Sequence, residues 1–289
     1  MKQHRLNKTQ IVELLGKYQT GKFTCVDLGK IYNISANAVQ GLLKRRGIAI
    51  TSQTYLQRKY KINETFFDTI NTEEKAYFLG ILYADGYNNT DRKTVTLSLQ
   101  EKDLELLEKL RVLIEHEKPL SHVKFSNWSD QYRIVIHNKR ISEKLSEHGC
   151  IKAKTYSLTY PPFLEKHLYR HFIRGYFDGD GYVGKRSASI TSSKAFCQAL
   201  KIILNIELGI NTYHRKPHPH NSDLIESLEI SGERKCRIFL NWIYKDSSIY
   251  LQRKYNKYIV LVGDDKEFHL NRSFKSKQST KDLNKRMAY

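Results

Sequence analysis

The sequence has no run near the roughly 18 consecutive apolar residues that a membrane-spanning helix needs, so no membrane partner is expected. Its four cysteines, Cys25, Cys150, Cys197 and Cys236, share no Cys-x-x-Cys spacing, which excludes a disulfide framework and a zinc finger. The opening MKQHRLNKTQ lacks the apolar stretch of a secretory signal. A cytoplasmic, nucleoid-associated protein of a bacterial or phage-infected cell is therefore expected. The chain starts with no splice-competent Cys or Ser block and ends in Met-Ala-Tyr, so a self-splicing host is not expected. Acidic residues are scarce, with 30 Asp+Glu against 49 Lys+Arg. With 40% apolar residues, 289 residues can build about two domains with real cores, and wholesale disorder is excluded.

The net charge of +19 is unevenly placed. Residues 1–60 hold 11 basic and 2 acidic side chains, residues 251–289 hold 10 and 4, and the long middle is close to balance. A folded basic protein with cationic ends fits nucleic acid, where Lys and Arg displace condensed counterions. A membrane-surface protein is the competing reading, but no Lys/Trp-rich amphipathic helix supports it.

Residues 7–48 read as three short helices. Asn7 or Thr9 caps the first, Thr24 the second and Ser35 the third, with Val39, Leu42 and Leu43 facing inward and Gly47 ending the unit. A tight turn before a basic third helix resembles a helix-turn-helix DNA reader. On that reading Asn37, Gln40, Lys44, Arg45 and Arg46 point outward to base edges or phosphates; the alternative is a plain three-helix packing unit with a solvated basic end.

Beyond it the sequence repeats itself. The hexapeptide YLQRKY stands at Tyr55–Tyr60 and again at Tyr250–Tyr255. AYFLGILYADG (76–86) matches HFIRGYFDGDG (171–181), and YRIVIHNKRISEKL (132–145) matches LEISGERKCRIFL (228–240). Asp85 and Asp180 stand 95 residues apart, as do Leu145 and Leu240, and Lys139 and Arg234. Each copy reads helix, hairpin, helix, hairpin, helix, a mixed α+β module. In the first, Asn71 and Glu74 form a capping-box pattern, TVTLSLQ (94–100) alternates as a strand, and VKFSN (123–127) pairs with YRIVIHN (132–138). In the second, Pro161-Pro162 is expected at a helix N-terminus.

Asp85 and Asp180 each end an apolar helix, directly before a glycine. A carboxylate there meets the negative end of the helix dipole, which costs about 0.3–1 kcal/mol at an exposed site. Gly80 and Gly175 lie five residues earlier, followed by Ala84 and Gly179. Small residues at that spacing let two helix backbones approach. Packed in parallel, the helices would set the two aspartates side by side, where they repel unless a proton or a hard divalent cation such as Mg²⁺ intervenes.

FLGILYADG (78–86) and IRGYFDGDG (173–181) resemble the paired signature helices of LAGLIDADG homing endonucleases, over about residues 55–262. The resemblance implies two pseudo-symmetric αββαββα modules whose sheets form a saddle on double-stranded DNA, and a monomer with a long, partly asymmetric target. It implies Mg²⁺, with Mn²⁺ as a substitute, held by Asp85 and Asp180 with the carbonyls of Ala84 and Gly179. It further implies a basic residue near the end of the last strand, matched by Lys139 in the first half and by Arg234 or Lys235 in the second. Gln100, with Ser192 as a looser counterpart, would order water. The sixth motif position departs, being Tyr83 in one copy and Asp178 in the other, so Asp178 reads as a supporting group rather than a ligand. Arg174 replaces a small residue and reads as reaching toward the partner helix.

The expected organisation is a helix-turn-helix over 1–50, a linker over 51–70, modules over 71–158 and 159–262, and a basic tail over 263–289. His214, His218 and His220 read as a polar loop rather than a metal site. A non-catalytic DNA-binding regulator or an RNA splicing maturase on the same scaffold is the alternative function, and the pair of adjacent acids argues against it, because a pure binder gains nothing from them.

Overall fold

A computed structural model describes residues 6–20, 23–50, 60–126, 129–152, 154–215 and 223–262. The basic tail, the first YLQRKY copy except Tyr60, His218 and His220 lie outside the described residues. The chain divides into two compact units, Met1–Lys61 and Ile62–Tyr289.

The first unit holds α1 (Lys8–Gln19), α2 (Cys25–Ile31) and α3 (Ala36–Arg45). Asn7, not Thr9, caps α1, in a capping box with Gln10; Thr24 and Asp27 form a second box, and the Ser35 side chain caps α3. Leu14, Leu28, Val39 and Leu43 close a small core. On α3 and its end, Asn37, Lys44, Arg45 and Arg46 are exposed and Gln40 is half-buried.

The second unit is two copies of one plan. The first copy runs α4 (Glu73–Ala84), β1 (Gly86–Asn89), β2 (Thr94–Gln100), α5 (Leu104–Leu113), β3 (Ser121–Val123), β4 (Gln131–His137) and α6 (Lys139–Glu147). The second runs α7 (Tyr169–Asp180), β5 (Gly181–Val183), β6 (Ser187–Ser193), α8 (Lys194–Leu208), β7 (Tyr213–Arg215), β8 (Ile225–Ser231) and α9 (Glu233–Tyr244), and α10 (Gln252–Val262) follows. Each copy closes one antiparallel four-stranded sheet, ordered β1-β2-β4-β3 and β5-β6-β8-β7. Strand alternation assigns the faces: Val95, Leu97 and Leu99 pack inward with Ile134 and Ile136, while Thr94, Thr96, Ser98 and Arg133 take the open face.

Local departures from the sequence reading have physical causes. Thr72 caps α4, one residue past Asn71, whose side chain instead accepts from Lys75 Nζ at 3.2 Å. Glu73 and Glu74 then sit in the first turn, where the helix dipole favours them. Pro161 and Pro162 do not start α7; a 3₁₀ turn at Lys166–Leu168 leads into it. The third strand is Ser121–Val123 rather than 123–127. All four cysteines are buried free thiols. Among the described residues no helix is long and apolar enough to cross a membrane.

Helices α4 and α7 meet backbone to backbone. A Cβ placed on Gly80 would stand 2.7 Å from the Tyr176 nitrogen, and one on Gly175 would stand 2.9 Å from the Tyr77 carbonyl carbon. Neither neighbour is a side chain that can swing away. Gly80→Ala and Gly175→Ala should therefore each lower stability by about 2–3 kcal/mol. Gly16→Ala, on the exposed face of α1 with open space around it, should instead stabilise its unit by about 1 kcal/mol. Urea unfolding followed by circular dichroism checks the opposite signs.

Candidate active site

The close approach of α4 and α7 carries two acids to one place. Asp85 is the residue that closes α4 and Asp180 is the last of α7, and both are exposed. A Cβ on Gly179 would stand 3.0 Å from Asp85 Oδ2, so the first half's carboxylate lies against the last turn of the second half's helix. The buried Tyr176 hydroxyl donates to Ser192 Oγ at 2.9 Å. Burial foremost, then the field of Asp180, with a smaller one from Asp85, pushes the Tyr176 pKa up, so both carboxylates act on that one group.

Two acids at helix C-termini invite a cation. Among the described residues no cluster of three or more His, Cys, Asp or Glu forms. Two carboxylates offer the hard oxygen ligands that divalent cations take together with water and phosphate oxygens. One expected donor is already engaged: the Gly179 carbonyl accepts from Lys254 Nζ at 3.4 Å.

Other assigned residues divide by the sheet register. In the first half Gly86 pairs with Leu97, and Leu97 with Ile134. One step toward the aspartate, on the open face, Ser98 pairs with Arg133, whose Nε donates to Ser98 Oγ at 2.8 Å. Gln100, exposed and paired with Gln131, lies at the same end. Lys139 does not come to the aspartates. His137 is already three residues, about 10 Å, beyond the Gly86 row in the other direction. Lys139 follows it on α6, its side chain 72% exposed and 4.0 Å from Glu143.

The second half repeats this displacement. Leu228 shares the row of Gly181 through Ile190, while Ser231 pairs with Ser187 farther away, and Arg234 and Lys235 come after it. Lys235 donates to the Asn211 carbonyl at 3.2 Å and lies over the Tyr213 ring. The matched spacing in sequence marks equivalent positions in the two copies, but the strand direction carries them away from the helix ends. Ser192 is buried against Tyr176 rather than open to water. His214, far from being a loop residue, sits in β7 with Nδ1 2.6 Å from Glu226.

Arg174 and Asp178, the motif departures, are fully buried. Arg174 donates to the carbonyls of Ile243 and Ile249, both at 2.8 Å, and pairs with Glu73 on the partner helix at 2.5 Å. Asp178 accepts from Tyr77 at 2.7 Å, Tyr244 at 2.5 Å and the Leu251 backbone N–H at 2.7 Å. Burial raises its pKa despite these donors. Its oxygens are consumed inside the protein, so it is no metal ligand.

The same network fixes a residue that sequence reasoning missed. Lys254, in the second YLQRKY copy, is buried, and its ammonium donates to the carbonyls of Phe177, Gly179 and Gly181 at the end of α7. Burial lowers its pKa to about 8, against the opposing fields of Asp178, Asp85 and Asp180. The verbatim repetition of YLQRKY was the signal available for Lys254. For Arg133 it was the alternation of YRIVIHN, which sets Arg133, Val135 and His137 on one face.

A family model described as LAGLIDADG-like domain matches residues 72–148 and 167–244, one match for each copy. A probable translation initiation factor IF-2 of Methanocaldococcus jannaschii is 27% identical over 212 residues, covering 69% of this chain and 17% of that protein. A replication factor C small subunit of the same organism is 23% identical, covering 89% of this chain and 15% of that protein. The chain thus spans less than a fifth of the length of these curated relatives. Among solved structures, the homing endonuclease I-WcaI bound to its DNA recognition sequence has a TM-score of 0.48 at 13% identity, covering 73% of this chain and 95% of that one. Full-length DUF199/WhiA from Thermatoga maritima has 0.44 at 20% identity, covering 69% and 64%.

His171, at the foot of the Arg174–Glu73 pair, gives this network a pH signature. Burial, then the Arg174 charge, lowers its pKa to about 4, while Glu73 opposes them. The folded value lies below the unfolded one of about 6.5, so its contribution to stability is complete above about pH 6.5 and is lost as pH falls toward 4. Between pH 7 and 4.5, His171→Asn should remove on the order of 2 kcal/mol of the stability loss seen for the unaltered protein. Equal slopes of urea midpoint against pH in the two proteins would refute this assignment.

Proposed function

The chain belongs to the LAGLIDADG-like domain family, and from that premise we propose that it is a site-specific endonuclease that hydrolyses both strands of duplex DNA with Mg²⁺, or Mn²⁺ in its place, at Asp85 and Asp180. The observation that carries the reading is the survival of both acids, exposed, at the touching ends of α4 and α7. A scaffold retained only for binding would be destabilised by that pair without using it.

Asp85 and Asp180 would hold the metal, with water and phosphate oxygens as its remaining ligands. When bound, Mg²⁺ supplies charge stabilisation at the phosphate and lowers the pKa of water. Arg133 stands on the open face one row from Gly86, on the Asp85 side, where its guanidinium would neutralise charge building on the phosphoryl oxygens; it does not serve as a base. Gln100, at the same end of β2, offers an amide to order the attacking water. The open faces of the two sheets meet the major groove, and α3 adds a helix-turn-helix contact through Asn37, Gln40, Lys44, Arg45 and Arg46. The basic ends of the chain supply phosphate affinity. A monomer suffices, because both halves of the site are on one chain.

The direct test is Mg²⁺-dependent cutting of duplexes drawn from a randomised pool and from DNA flanking the protein's own gene. Asp85→Asn and Asp180→Asn should each reduce cutting to background while leaving DNA affinity within a few-fold. Arg133→Ala should slow the single-turnover rate about 10²-fold or more, while Lys139→Ala leaves it unchanged. Normal cutting by both Asn variants rejects the site. Binding without cutting would point to a regulator, and RNA-selective binding to a maturase. For the N-terminal unit, Lys44→Ala should weaken binding alike across sequences and lower the salt slope by about one. An unchanged slope removes α3 from the interface.

A further inference from the structure

The hexapeptide Tyr250–Tyr255 is tied into the protein at almost every residue. The Tyr250 ring stacks on Tyr255 with centroids 3.8 Å apart, and the Leu251 N–H donates to Asp178. Arg253 Nε lies 3.2 Å from Asp103 of the first copy. Just before it, Ile249 accepts from Arg174, and the Ser248 N–H donates to Glu73 at 3.0 Å. This clamp fixes Lys254, the one buried lysine among the described residues, beneath the end of α7.

The two halves differ at that place. In the second half the Phe177 carbonyl takes an ammonium; in the first half the matching carbonyl, of Leu82, takes the neutral thiol of Cys150 at 3.5 Å. At the same spot two helix ends, each worth about half a negative charge, converge with the full charges of Asp85 and Asp180. The carboxylates whose fields act on Lys254 are Asp178, Asp85 and Asp180, and Arg253 opposes them.

We propose that Lys254 is a positioning residue whose ammonium is a resident cation, holding the Asp85–Asp180 pair together in the metal-free protein and engaging the Gly179 carbonyl so that the two carboxylates are what an incoming divalent ion finds. The inference deepens the nuclease reading, yet its central test needs no metal and no DNA. A helix cap alone would require only the carbonyl bonds. A resident cation is in addition coupled to the acids, and removing the acids removes the need for it.

The experiment is a double-mutant cycle in EDTA, read as urea midpoints. Lys254→Met should lower the midpoint, and at least half of that loss should disappear in a protein that also carries Asp85→Asn and Asp180→Asn. If Lys254→Met alone does not fold, folding of the triple variant supports the proposal, and failure of both overturns it. An equal loss in both backgrounds reduces Lys254 to a helix cap and overturns it. Relief by Asp178→Asn and not by the Asp85/Asp180 pair makes Asp178 its partner and likewise overturns it. Mg²⁺ added afterwards should recover more of the midpoint in Lys254→Met than it adds to the unaltered protein. Coupling with no Mg²⁺ effect on any variant would sink the metal reading and leave the Lys254 assignment standing.

Discussion

Two glycines, Gly80 and Gly175, let the backbones of α4 and α7 touch where any side chain would collide with the main chain opposite. The consequences run outward from that contact. The helices run parallel, each leading directly into the first strand of its own sheet, so the contact that joins the two halves also fixes where both sheets begin. It also forces the helix ends, with their partial negative charge and their aspartates, into one small volume. Close packing usually stabilises; here it concentrates like charges, and the rest of the site is arranged around that electrostatic problem.

The solution is not shared evenly. In the first half the sixth motif position is Tyr83, whose hydroxyl donates to the His148 carbonyl. In the second half that position is Asp178, buried with Arg174, and together they bind the backbone at Ile243, Ile249 and Leu251. Burying charges of this kind is costly unless every donor and acceptor is met. Both are met, and the return is a clamp on the segment that bears Lys254. Positive charge reaches the acids from beneath a helix end, through the Lys254 ammonium on the carbonyls of Phe177, Gly179 and Gly181.

Much of this was legible in the sequence because it depends on short-range periodicity and on repetition. Glycine spacing foretold the helix contact, alternation in TVTLSLQ gave β2 to the residue, Thr24 and Ser35 marked two caps, and Asn7 or Thr9 the first, which is Asn7. What was not legible is register. Lys139 and Arg234 match across the copies, yet which end of a sheet lies near the aspartates follows from pairing Gly86 with Leu97, a long-range fact. Lys254 was hidden for a related reason: its role requires a chain segment about 75 residues downstream to fold back under α7. Arg174 and Asp178 were legible as a group reaching toward the partner helix and as a supporting group, but the carbonyls and N–H groups they meet, at Ile243, Ile249 and Leu251, were not.

The unequal halves also constrain the DNA that such an enzyme would read. A symmetric dimer presents the same open face twice and selects a palindrome. Here the first sheet offers Gln100, Gln131, Arg133 and His137, while the open face of the second carries Ser187, Thr191 and Glu229. Arg and Gln favour purine edges, whereas Glu accepts from cytosine and short hydroxyls fit either partner. Duplication on one chain freed each face to diverge, while the glycine contact held the common axis. An asymmetric recognition sequence is thus what the proposed activity demands of this scaffold, with symmetry retained only at the glycine contact and the two aspartates it brings together.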